Sequence, residues 1–75
     1  MDYKRYIESD PNVMLGKPII KGTRITVELI IQKLSEGASH SQLLEAYPSL
    51  TANDILAALA YASEVISNET IIALA

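Results

Sequence analysis

The 75-residue sequence predicts a mainly α protein: a short N-terminal β arm over residues 1–26, a three-helix bundle over 27–67 and a last helical turn over 68–75. Three observations support this reading. The stretch Gly16-Lys17-Pro18-Ile19-Ile20-Lys21-Gly22-Thr23-Arg24 puts two glycines, a proline and three cations into nine residues, a composition of turns and short strands. From Thr26 onward, apolar residues recur at helical rather than strand spacing. Two capping signatures, one at Ser39 and one at Thr51, divide the helical part.

Within the arm, Tyr3 to Glu8 is a short strand candidate and Ser9-Asp10-Pro11-Asn12 a turn, where proline fixes φ and Asp and Asn bond nearby backbone. Ile19-Ile20 and Arg24-Ile25-Thr26 are further strand candidates around Gly22. The first helix is expected over 27–36, because Val27, Ile30, Ile31 and Leu34 share one face and Gly37 sits where a helix ends in the left-handed conformation. Ser39-His40-Ser41-Gln42 has capping-box spacing and opens a short second helix with Leu43, Leu44 and Tyr47 inward, which Pro48 ends. Thr51 caps a third helix of about 52–66, with Ile55, Leu59, Ala62 and Ile66 inward and Asn53, Ala57, Ala60, Tyr61 and Glu64 outward. The last two helices and their turn have the outline of a helix-turn-helix.

Composition narrows the function. A chain this short buries only about 60% of its unfolded surface. It has no cysteine and one histidine, so neither a disulfide nor a histidine metal cluster supports it. Yet 49% of its residues are hydrophobic, more than such a core hides easily, and a homodimer or a protein partner is therefore expected. The lack of cysteine fits a cytoplasmic protein, and neither a secretory signal nor a membrane span is expected.

The net charge of −3 is unevenly spread. Residues 1–24 hold Lys4, Arg5, Lys17, Lys21 and Arg24 against Asp2, Glu8 and Asp10, whereas residues 25–75 hold only Lys33 against six acids. Any anion must be met by the arm. Two roles are open for its central stretch. It is a turn shaped by Gly22, with Arg24 paired to an acid such as Glu28; or it is a contact for phosphate or an acidic partner, made by Lys17, Lys21, Thr23 and Arg24. The order of residues is not that of a nucleotide-binding loop.

The third helix has no Lys or Arg, and only Asn53 is a usual reader of bases, so its outer surface reads as a packing face. DNA, if bound, would be met by Lys4, Arg5, Lys17, Lys21 and Arg24 on a β ribbon, and those cations would set the salt dependence. Tyr61 is a candidate interface anchor, and Ile71, Ile72 and Leu74 form either a cap over the core or a strip for a partner. His40 has no second histidine, cysteine or inward carboxylate pair beside it, so neither catalysis nor a cofactor is expected.

The segments "SDPNVMLGKPIIKGTRI" and "LSEGASHSQLLEAYPSLTANDILAALAYA" resemble a prokaryotic family known as domain of unknown function 433. Its members share an "SDP", a "GKPxIxGTRI", an apolar helix ending in Gly, a "YPxLT" and an "AALxYA", and the likeness covers about residues 5–63. The resemblance implies a homeodomain-like fold and a role as antitoxin of a type II toxin–antitoxin pair, similar to VapB-type antitoxins. Such a protein would bind a PIN-like ribonuclease toxin and its own operator DNA. The tail after Ala62 leaves little room for a long toxin-wrapping extension. A stand-alone DNA-binding regulator and a purely structural oligomerisation module are the alternatives.

Overall fold

The computed structural model describes residues 1–68. The expected turn beyond the third helix, with Ile71, Ile72 and Leu74, lies outside the described residues. In the arm, strands β1 (Ile7–Glu8) and β2 (Ile19–Ile20) pair antiparallel, Ile7 opposite Ile20 and Glu8 opposite Ile19. Thr26 bridges the other side of β2 at Ile19. Three α-helices follow: α1 (Val27–Ser35), α2 (His40–Ala46) and α3 (Ala52–Ser67).

The strands are shorter than the sequence suggests. Tyr3–Arg5 is a 3₁₀ turn capped by the Asp2 side chain, which accepts from the Lys4 amide, so only Ile7 and Glu8 remain to pair. Of Arg24-Ile25-Thr26, Thr26 alone makes a bridge, and α1 begins at the next residue, with the Thr26 side chain capping it by accepting from the Leu29 amide.

Helix ends follow local chemistry closely. The first amide of α1, on Val27, donates to the Pro18 carbonyl at 3.0 Å, which ties the helix to the arm. At its other end Gly37 takes φ +98°. The Ala38 amide then donates to the Lys33 carbonyl and the Gly37 amide to that of Leu34, the paired bonds of a Schellman motif. Ser39 and Gln42 form the expected reciprocal box at the start of α2, and Thr51 and Asp54 form a second at the start of α3. Asp54 is buried, and its carboxylate accepts from the Thr51 amide at 2.9 Å.

The core lies where β1, β2 and the three helices meet, and is built from Ile7, Ile20, Val27, Ile30, Leu43, Leu50, Ile55, Ala57 and Ala58. Ile30 and Ile55 are at most 1% exposed, so their side chains make the full set of dispersion contacts.

α3 is rotated from the orientation expected for it. Ile55 is buried as predicted, but Ala57 is fully buried rather than outward, while Leu59 and Ile66 are exposed rather than inward. Tyr61 is also half-buried instead of outward-facing. Small Ala57 and Ala58 face the core, where they leave room for neighbouring elements to pack close to the helix axis, and the larger Leu59 and Ile66 stand outside it. A hydrophobic wheel weights residues by polarity and has no means of seeing this.

Candidate partner-binding surfaces

The stretch from Gly16 to Arg24 is a built turn. Lys17 is extended at φ −64° and ψ 147°, as a residue before proline should be. The Thr23 amide donates to the Ile20 carbonyl at 3.0 Å, closing a four-residue turn whose third residue, Gly22, sits at φ +76°. No atom lies within 4 Å of where a Cβ on Gly22 would stand, so the glycine answers to the backbone angle and not to crowding.

The Thr23 hydroxyl donates to the same Ile20 carbonyl at 2.8 Å and accepts from the Ile25 amide at 3.0 Å. Its single hydrogen is thereby engaged, so Thr23 shapes the turn rather than offering a donor to an anion. The Lys21, Thr23 and Ile25 amides are likewise engaged within the arm. The turn presents cationic side chains outward, and its Gly22 and Arg24 amides make no hydrogen bond to a described residue.

Lys17 stands apart from the other cations. Its ammonium lies 2.9 Å from the Glu28 carboxylate, with both side chains at least half exposed. Glu28 thus pairs with Lys17 and not with Arg24, the pairing that one of the two readings of the turn offered. The second ion pair among the described residues is Lys33–Glu36 at 3.8 Å. Lys4, Arg5, Lys21 and Arg24 are all exposed and make no ion pair with any described residue. The Lys21 amide donates to the Tyr6 carbonyl at 2.8 Å, which brings Lys21 beside the segment holding Lys4 and Arg5. Asn53 is exposed in the first turn of α3, a separate element from this cationic arm.

The start of the arm rests on α3. The Tyr3 ring meets that of Tyr61 edge-on, with centroids 5.4 Å apart and planes at 89°, the favourable edge-to-face geometry. The Glu64 carboxylate serves as acceptor for the Tyr3 hydroxyl, and with desolvation and further nearby negative charge it holds the Tyr3 pKa above 10.0.

Two apolar features escaped the sequence reading. Tyr61, Ala62, Val65 and Ile66 of α3 face Val27 and Ile31 of α1 across an open groove of about 710 Å³, with Glu28 and Gln32 on its rim. Leu15, at φ +59°, is 93% exposed and follows Met14 at φ +50°. Nothing in residue type announces either, because Met and Leu are poor left-handed residues and the groove arises from how α1 crosses α3. Among the described residues no three His, Cys, Asp or Glu side chains stand close enough to hold a metal ion, and no helix is long and apolar enough to cross a membrane.

The family described as "Protein of unknown function (DUF433)" matches residues 7–62. The chain belongs to this family. The match runs from β1 into α3, and so includes the hairpin turn, both capping boxes and Tyr61. This DUF433 protein is 36% identical over 59 residues to "Uncharacterized protein y4eO" of Sinorhizobium fredii (strain NBRC 101917 / NGR234), covering 79% of this chain and 27% of that one. It is also similar to the crystal structure of a DUF433 member from Anabaena variabilis ATCC 29413, with TM-score 0.77 and 36% identity over 81% of this chain and 60% of the other. This chain therefore spans less than two thirds of either relative's length.

Proposed function

We propose that this DUF433 protein is an antitoxin-like adaptor whose β arm binds an acidic surface on a partner protein, a PIN-like ribonuclease being the partner that the family resemblance implies. The supporting observation is the set of exposed cations Lys4, Arg5, Lys21 and Arg24, which pair with no described acid although the chain as a whole is acidic. Cations left without a partner among the described residues are available for an external one, and their field steers an acidic surface toward the arm. Lys21 and Arg24 would face the carboxylates that hold the ribonuclease's metal ions, and occlusion of that site would inhibit it.

The test is capture of partners from nuclease-treated native cytoplasm, comparing the wild type with the Lys21→Glu/Arg24→Glu double variant. Recovery of a stoichiometric PIN-like protein by the wild type, and its loss with the folded variant, is the expected result. If the variant retains that partner at equal yield, the arm is not the contact. The same cations suit phosphate, so a stand-alone DNA-binding regulator is the second reading. It predicts sequence-specific DNA binding by the wild type alone, with no partner protein and a steep fall in affinity with salt.

A further inference from the structure

Of the large apolar side chains left exposed among the described residues, Met1, Met14 and Leu15 lie in the arm, whereas Leu56, Leu59, Val65 and Ile66 all lie on α3. Three of these four are regularly spaced. Leu56, Leu59, Ser63 and Ile66 fall at i, i+3, i+7 and i+10, with Ala52 one interval earlier. This alternation of threes and fours is the seam spacing of a two-stranded coiled coil, and it confines these residues to a strip roughly 80° wide on a helix of 3.6 residues per turn. Leu56, Leu59 and Ile66 are 46%, 39% and 60% exposed, so the core does not use the seam.

We infer that this seam is the contact between two copies of the chain, α3 against α3 about a two-fold axis. Charge supports a second copy as the occupant. A two-fold axis repeats every side chain on both sides of the contact, so any charge close to it meets its like. The acids of α3 are Asp54, which is buried in its cap, and Glu64, which lies off the seam beside Tyr3. The positions flanking the seam toward solvent, Asn53, Ala60 and Ser67, are uncharged too. In coiled coils such flanks select an unlike partner through opposite charges, and here there is nothing to select with.

Shape supports the same occupant. Ile31 of α1 and Leu59, Ala62, Ser63 and Ile66 of α3 line a shallow depression alongside the seam. Leu59 and Ile66 project as walls of this depression, with the small Ala62 and Ser63 between them, so ridge and hollow adjoin on one face, as a two-fold contact requires. An interface of standard size takes about 800 Å² from each partner, roughly 15% of the 5311 Å² surface. The seam and its flanks contribute to that area without burying a charged side chain. This face of α3 is a different surface from the arm proposed to bind a partner protein.

The test is sedimentation equilibrium of the full chain over a range of concentrations, for the wild type, Leu59→Glu, Ile66→Glu and a control, Leu15→Glu. The wild type and the control should sediment at twice the 8.2 kDa chain mass. Each seam variant should raise the dimer dissociation constant at least about tenfold while keeping its helical circular dichroism. Using two seam variants keeps the test informative should one fail to fold. A wild type that remains at monomer mass at the highest concentration would overturn the inference and leave the seam to the chain's own residues 69–75 or to another protein. So would a dimer that tolerates both seam substitutions.

Discussion

At Tyr3 the arm meets α3 through the edge-on ring contact with Tyr61 and through a hydroxyl beside Glu64, and the second link depends on the protonation state of that hydroxyl. Because its pKa in the folded chain is raised above 10.0, the link contributes its full stability below the unfolded value and loses it as pH rises through the folded one. Stability measured by urea unfolding should therefore be level across neutral pH and fall on the alkaline side of 10.0. Glu64→Gln replaces the carboxylate acceptor, whose hydrogen bond is the largest cause, by a weaker neutral one and removes its charge as well, so the Tyr3 titration, followed by ultraviolet absorbance, should move back toward 10.0. The left-handed residues give an opposed pair of outcomes. Gly22→Ala places a Cβ at φ +76° with no atom nearby to clash with or gain from, and should destabilise by about 1 kcal/mol from backbone strain alone. Leu15→Asn exchanges a strained, almost fully exposed leucine for a residue that tolerates φ +59°, and should stabilise by about 1 kcal/mol in the same assay.

The helices depend first on their caps. Thr51 and Asp54 bond each other's amides at the start of the longest helix, and Thr51→Ala should cost about 1 kcal/mol of unfolding free energy. Packing matters more. Ile55 is wholly buried where α3 meets the core, and Ile55→Ala should cost about 2–5 kcal/mol, lost transfer energy plus the cavity left behind. A domain this small sits toward the low end of the usual range of about 5–15 kcal/mol, so Ile55→Ala should lose from about two fifths to nearly all of its stability, seen by circular dichroism as a markedly lower melting temperature.

Over the whole molecule, the cationic arm and the uncharged seam should answer to salt in opposite ways. Ion pairs at the exposed arm are screened as the Debye length falls from about 30 Å at 0.01 M to about 3 Å at 1 M, so binding of an acidic partner should weaken steadily. Apolar contact across α3 contains no charge to screen, and a salt such as sulfate strengthens it. Measuring partner affinity and dimer dissociation over one salt series would separate the surfaces without any substitution. Parallel loss of both would mean that the arm contributes to the dimer.

Much of the fold was legible in the sequence, because its signals are local. Ser39 with Gln42, Thr51 with Asp54, Gly37 after α1 and Gly22 in the hairpin each act through bonds or backbone angles a few residues away, and each stands where its neighbours required. The asymmetry of charge was equally plain, since it is a property of the chain. Tertiary structure alone decided the rotation of α3. That rotation buries Ala57, exposes Leu59 and Ile66, and turns a predicted core face into a surface seam. It also decided that Lys17, eleven residues away, pairs with Glu28. The physical reason is common to these cases. Caps and turns are determined by a handful of bonded neighbours, whereas the outward face of a helix is determined by the shapes of every element that crosses it.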